Sequence, residues 1–200
     1  MEGDLVVVAL GGVQRFIAES RTTADLAAGS EIVVALACAV ADTCEREANL
    51  VFPGPGFSGG RTAAPNRVVS VAPVGKGVQV AEAAAAAARL TWSVFLRETY
   101  SPDPVPADEF VAGMPEVTWV SVPASAGDYA RQWELAQRAL AARRGVRDFT
   151  AVNVPGRMLC SLSPRWPAAD SPPKARKHHR AERLAAANWM KRQRRLSDPD

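Results

Sequence analysis

The chain has 200 residues, 48% of them hydrophobic and 22% charged, a composition typical of a soluble globular domain, alone or with a tail. Residues 1–145 contain 12 Lys/Arg and 16 Asp/Glu (net charge −4), whereas residues 146–200 contain 12 and 5 (net charge +7). Three cysteines exclude a disulfide framework, and the first apolar run, Leu5–Leu10, is too short for a secretory signal or a membrane span. We therefore expect a cytoplasmic protein with a mildly acidic body and a basic tail.

The first elements of the body are a strand and two helices. Leu5–Leu10 is rich in β-branched residues and stops at two glycines, which predicts a buried strand. Apolar residues then follow helical spacing from Val13 to Ser20. After a predicted break near Ala24–Gly29, apolar residues from Ile32 to Val40 recur at three and four positions and predict a second helix, with Ser30 as its N-cap.

The rest of the body continues the alternation of strands and helices. The pattern predicts strands at Asn49–Pro53, Arg67–Ala72 and Glu116–Val122, and helices at Val78–Tyr100 and Tyr129–Arg144. The order strand–helix(–helix)–strand–strand–helix–strand predicts an α+β, ferredoxin-like (split βαβ) sandwich over residues 1–145, with an antiparallel sheet, helices on one face and an extra helix.

The tail, residues 146–200, has a weaker pattern. Prolines at positions 155, 164, 167, 172 and 173 interrupt it, and Arg180–Arg195 is the stretch with helical character. Its apolar content is too low for a second hydrophobic core, which predicts an irregular basic tail. Such a tail binds nucleic acid, binds an acidic partner or is only solvated. Arg183, Lys191 and Arg192 are its candidate contacts with nucleic acid or protein.

The turn at Gly11 and Gly12 joins a strand to a helix. Exposed N–H groups at such a helix start favour an anion, and glycines let a ligand approach the backbone. Gln14 lies beside this turn and Arg21 supplies a guanidinium that can hold a phosphate in bidentate fashion. The alternative is that the two glycines only form a tight turn, because the string is neither a P-loop nor a dinucleotide fingerprint.

Asn66 and Arg67 open a predicted strand next to the Gly-rich stretch 54–60. They either order that loop or contact a partner. Trp166 and Trp189 lie among the basic residues of the tail, where aromatic rings stack on bases or form a subunit contact.

Several short motifs together resemble a known family. Gly11–Ile17, Ser20-Arg21 and Asp25–Ser30 are similar to the signature near the start of the large subunit of type III-B (Cmr-type) CRISPR effector complexes. Val51–Pro53 and Pro65–Arg67 match that family's Phe-Pro and Pro-Asn-Arg blocks in the same order. The tail segments 157–163 and 182–192 look like the segments around the family's zinc-binding module.

The resemblance implies that residues 1–145 are a degenerate palm, a ferredoxin-like domain that partners a second, active palm. In that family the second palm carries Gly-Gly-Asp-Asp and converts ATP, with Mg²⁺ or Mn²⁺, into cyclic oligoadenylates. The implied partners are other Cmr-type subunits, CRISPR RNA, target RNA and the second palm. The nucleotide-binding residues it favours are Gly11, Gly12, Gln14, Arg21 and Ser30.

The chain also departs from the family. It has no Gly-Gly-Asp-Asp motif, and it has no His-Asp pair of the kind found in the nuclease domain of many family members. Whether the chain is an enzyme therefore stays open. We expect it to be inactive in isolation and assign no catalytic residue. One cysteine, Cys160, remains where the family has paired Cys-x-x-Cys blocks, so zinc is not expected and no metal ligand is assigned. The competing hypothesis is a stand-alone nucleotide-binding or basic nucleic-acid-binding protein, whose binding weakens steeply with salt.

Overall fold

The structure is a computed structural model that describes residues 2–57, 65–105, 116–146, 156–170, 173 and 182–194. The chain divides by its packing into two compact units. Unit 1 comprises residues 1–11, 33–91 and 115–148, and unit 2 comprises residues 12–32, 92–114 and 149–200. The described part of the tail shares unit 2 with residues from the start and the middle of the chain.

The strands and helices follow the predicted order. They are β1 (Asp4–Gly11), α1 (Val13–Ala18), α2 (Thr23–Glu47), β2 (Asn49–Phe52), β3 (Arg67–Ala72), α3 (Gly77–Tyr100), β4 (Glu116–Val122), a 3₁₀ turn (Ala124–Ala126), α4 (Tyr129–Gly145) and α5 (Ala186–Arg194).

The four strands form one antiparallel sheet in the order β2–β3–β1–β4. Val7, in the middle of β1, pairs with Val69 of β3 and with Val120 of β4. The first strand is thus inserted beside the third, which is the arrangement of a split βαβ fold. The predicted α+β, ferredoxin-like sandwich with an extra helix is confirmed.

Both faces of the sheet are covered in unit 1. Alternate residues of β1 pack with Ala136 and Leu140 of the extra helix α4. On the opposite face, Cys44 of α2 and Ser70 of β3 are both buried, and burial raises the pKa of the Cys44 thiol. The prediction of helices on one face is therefore wrong: strand β1 is buried on both sides because the extra helix covers the second face.

Asp4, at the start of β1, joins three separate elements of unit 1. It is 4% exposed. Its Oδ2 accepts hydrogen bonds from Gly75 N (2.9 Å) and Gly77 N (3.1 Å), and its Oδ1 accepts one from Ala124 N (3.0 Å). One carboxylate therefore fixes the start of α3 and the 3₁₀ turn that precedes α4. A Cβ on Gly77 would lie 2.7 Å from Asp4 Cβ, so this position has no room for a side chain.

Helix α2 begins earlier than predicted. Thr22 and Asp25 cap it reciprocally: Thr22 N donates to Asp25 Oδ2 (3.2 Å) and Asp25 N donates to Thr22 Oγ1 (3.1 Å). The expected break near Ala24–Gly29 does not occur, and Ser30 lies within the helix rather than at its N-cap. Helix α2 is long and apolar enough to cross a membrane, but the buried core helices of other proteins meet the same two criteria. Its Ile32 and Leu36 are buried in the protein.

The tail has a small core of its own, contrary to the prediction. Cys160, Leu184, Ala185 and Trp189 are buried together, and a bridge pairs Leu159 with Pro167. The predicted helix is present as α5, which begins at Ala186. Residues 180, 181 and 195 of that prediction lie outside the described residues. Trp189, Leu184 and small apolar residues supply the buried surface of this core.

Candidate functional site

One end of the sheet brings together candidate residues of unit 1. Gly11 ends β1, and Asn66 and Arg67 stand at the start of β3. Leu10 N donates a hydrogen bond to Asn66 O (2.8 Å), which holds the approach to β3 against the end of β1. The sequence therefore placed these three residues correctly relative to the strands. The antiparallel register of β1 and β3 brings them to the same end of the sheet.

Glu116, which was not among the residues predicted from the sequence, also lies at this end of the sheet. It opens β4 and pairs with Gly11 in the register of the sheet. A Cβ on Gly11 would lie 3.0 Å from Glu116 Oε2 and 3.2 Å from Glu116 Cβ, so Gly11 leaves space for this side chain. A carboxylate this close to Gly11 would repel a phosphate bound there, because both groups are negatively charged. The pairing of β1 with β4 was the signal that could have identified Glu116.

Arg67 and Asn66 differ in their surroundings. Arg67 Nη1 donates to Gln137 Oε1 of α4 (3.1 Å), so this guanidinium links β3 to the extra helix. The side chain of Asn66 is exposed. Arg67 thus has a structural role within unit 1, while Asn66 is open to a partner.

The remaining nucleotide candidates belong to unit 2. Gly12 precedes α1 in the left-handed region (φ 68°), which glycine adopts without strain. Helix α1 has six residues, so its dipole attracts an anion less strongly than the dipole of a long helix does. Gln14 and Arg21 are exposed, and Ser30 is exposed on α2. The tight-turn interpretation of the two glycines accounts for their geometry, and Arg21 is the available cation among the five candidates.

Lys191 and Arg192 of the tail, predicted as contacts with nucleic acid or protein, are buried within unit 2. Lys191 is 1% exposed and Arg192 is 7% exposed. Both side chains bond with unit 2 itself, so neither charge is presented to a nucleic acid or to a partner. Helical spacing alone did not show which face of α5 is buried. Arg183 is exposed, and its carbonyl accepts a bond from Ser161 N (2.8 Å).

The ammonium of Lys191 lies among oxygen atoms that follow or end α1. Its Nζ donates to Phe16 O (2.8 Å), to Glu19 O and to Ser20 Oγ (3.2 Å), and it lies 4.7 Å from the centroid of the Phe16 ring. Burial lowers the pKa of Lys191 to about 8, although the nearby Glu19 and Asp25 carboxylates raise it in part.

Arg192 forms buried ion pairs. Its Nε lies 3.0 Å from Asp25 Oδ1, and its Nη2 lies 3.6 Å from Glu182 Oε2. Asp25 is 1% exposed. The carboxylate that caps α2 is therefore the same one that neutralises Arg192.

A polar cluster occupies the place where the resemblance implies a zinc module. Asn188 Nδ2 donates to Cys160 Sγ (3.3 Å) and to Ser163 Oγ (2.9 Å), and Ser163 Oγ donates to Glu19 Oε2. Within the described residues, His, Cys, Asp and Glu form no group of three or more that could hold a metal ion. One thiol with an amide and a hydroxyl does not fit a tetrahedral zinc site.

The comparisons with known proteins agree with the motifs. The family model "CRISPR-associated protein Cmr2, N-terminal" matches residues 5–150. No curated protein matches the chain. Among solved structures, a chain of the type III-B Cmr-beta complex bound to cognate target RNA is similar with a TM-score of 0.59 at 15% identity. That match covers 96% of this chain and 32% of the other, so the chain spans about a third of that protein's length and shares its fold.

The family match extends over nearly three quarters of the sequence and includes every motif from Gly11 to Arg67. It also covers all four strands of the split βαβ sheet. The chain therefore belongs to the family of the N-terminal part of CRISPR-associated protein Cmr2, in the large subunit of type III-B Cmr complexes.

Proposed function

We propose that this chain is a non-catalytic palm that works within a cytoplasmic type III-B complex and supports a second palm in making cyclic oligoadenylates from ATP. Its partners would be the other Cmr subunits and, through them, CRISPR RNA and target RNA. The similar Cmr-beta chain belongs to a complex bound to target RNA, which supports these partners.

The observation that carries the proposal is the palm-type sheet without the carboxylates of a working palm. Nucleotidyl transfer by two metal ions needs acidic side chains that clamp both ions. Strand β1 has no acidic residue at the end that leads into Gly11 and Gly12, and Glu116 is the acidic residue that pairs with this end. One exposed carboxylate does not hold two Mg²⁺ or Mn²⁺ ions, so this domain is suited to assist an active palm.

For nucleotide binding, Arg21 is the residue that the structure supports best. It is exposed, it follows α1, and its backbone N–H bonds with Asp25 Oδ2 (3.4 Å). A guanidinium at a fixed turn can hold one phosphate of ATP with two parallel hydrogen bonds. Gly12 and Gln14, at the start of α1, would border the same nucleotide, whereas Gly11 lies against Glu116. Ser30 stays a candidate because its hydroxyl is exposed on α2.

We expect the purified chain to bind ATP weakly and to convert none of it in the presence of Mg²⁺ or Mn²⁺. Arg21→Ala should weaken ATP affinity about tenfold, the size of one charge-assisted contact. Calorimetry gives the affinity, and chromatography of the nucleotide gives the turnover. Arg138→Ala is the matched control, since Arg138 is exposed on α4 in unit 1. Formation of linear or cyclic oligoadenylate would contradict the non-catalytic assignment, and equal affinities of both variants would remove Arg21 from the site.

A further inference from the structure

Two sequence motifs that lie about 160 residues apart meet in unit 2. One is the segment Ser20–Ser30, and the other is the end of α5 with Lys191 and Arg192. We propose that Ser20–Ser30 is the docking site of helix α5, and that Lys191 and Arg192 are positioning residues that hold the turn from which Arg21 projects. The proposal concerns the chain itself and does not depend on nucleotide binding.

The first contact is made by Lys191. Its Nζ reaches Phe16 O and Glu19 O, which are carbonyl groups at the end of α1, and Ser20 Oγ at the start of the motif. Carbonyls at a helix end have no partner within the helix, so a cation that binds them satisfies groups that otherwise need water. Ser20 Oγ also donates to Ile17 O (2.7 Å), and this bond joins the turn to α1.

The stem of Lys191 explains the glycine of the motif. A Cβ on Gly29 would lie 3.1 Å from Lys191 Cδ. Gly29 is inside a helix, where glycine is a poor choice by propensity. Its lack of a side chain lets the lysine stem pass close to α2 on the way to the carbonyl groups of α1.

The second contact is made by Arg192 with Asp25. Asp25 Oδ1 receives the guanidinium at 3.0 Å, while Asp25 Oδ2 accepts bonds from Thr22 N (3.2 Å) and Arg21 N (3.4 Å). The same carboxylate therefore joins α5, the start of α2 and the backbone of Arg21. Removing Arg192 leaves the buried Asp25 carboxylate without its ion-pair partner and with Lys191 as the nearby cation, so the turn should loosen when Arg192 is neutralised.

The test is amide hydrogen exchange on the full chain. Arg192→Gln should raise the exchange rates of the Arg21 and Thr22 amides at least tenfold, because their acceptor Asp25 is left charged, buried and without its guanidinium. The double variant Asp25→Asn/Arg192→Gln should restore most of the protection, because its buried pair is neutral and asparagine still caps a helix. Arg138→Gln, at an exposed site of α4, should leave both amides unchanged.

The amides of Leu5–Leu10 in β1 report whether the sheet of unit 1 stays folded. Unchanged protection there, with faster exchange at Arg21 and Thr22, supports a local contact. Unchanged exchange at Arg21 and Thr22 in Arg192→Gln would overturn the proposal. If Arg192→Gln does not fold, recovery of folding in the double variant supports the pair, and a double variant that is equally unfolded contradicts it.

Discussion

Replacing Asp4 with alanine is expected to lower the free energy of unfolding by about 4 kcal/mol, because three backbone N–H groups lose a charged acceptor. Gly75 N, Gly77 N and Ala124 N bond with this carboxylate, which is 4% exposed. A hydrogen bond to a charged group contributes about 1.5–3 kcal/mol, and three such bonds to one group are not additive. Urea unfolding followed by circular dichroism measures the change.

Asp128→Ala is the matched control for Asp4→Ala. Asp128 is exposed and caps α4 through one bond to Arg131 N (2.9 Å), so its loss should lower the free energy of unfolding by about 1 kcal/mol. Equal effects of the two substitutions would show that Asp4 does not fix α3 and the 3₁₀ turn.

Stability should rise with pH between about pH 8 and pH 10.5 through the titration of Lys191. Burial lowers the pKa of Lys191 from 10.5 to about 8 in the folded protein. In this window the unfolded chain still binds the proton that the folded protein has lost, so raising the pH favours folding. The gain is about 3 kcal/mol at most, and it is absent below pH 8, where both states are protonated.

Lys191→Met isolates this effect. The difference in unfolding free energy between the protein with Lys191 and the Lys191→Met variant should change by about 3 kcal/mol at most from pH 8 to pH 10.5, in favour of the protein with Lys191. The groups that face Lys191 are Glu19, Asp25, Cys160 and Arg192, and all of them remain in the variant. The Cys44 thiol, whose pKa is raised, lowers stability at high pH in both proteins and cancels. A difference that stays constant, or falls with pH, would show that the Lys191 ammonium is not desolvated.

The fold was predictable from the sequence because its information is local. The β-branched run of β1, the alternation in β4 and the alanine-rich helix each specify an element, and their order specifies the split βαβ sheet. The covered second face was not predictable, because nothing in the spacing of Tyr129–Gly145 tells on which side of the sheet the extra helix packs.

The candidate site was predictable only in part. The glycine turn and the Pro-Asn-Arg block are local motifs, and both lie where the sequence places them. Asp4, Glu116 and Arg192 act through contacts with residues 71 to 167 positions away, and no local motif shows which of these positions meet. For the same reason the burial of Lys191 and Arg192, which were predicted as contacts with nucleic acid or protein, was not predictable: charge favours the surface, and burial requires partners that the sequence does not show to be near.

The assignment of the chain as a palm of a type III-B complex is tested most directly by co-expression of the tagged chain with the remaining subunits of such a complex from the same organism. Size-exclusion chromatography with native mass spectrometry then reports what the chain assembles with. We expect the chain to elute with the Cmr subunits in a defined ratio. If those subunits assemble while the chain elutes alone at 21.3 kDa, the assignment as a palm of this complex is contradicted.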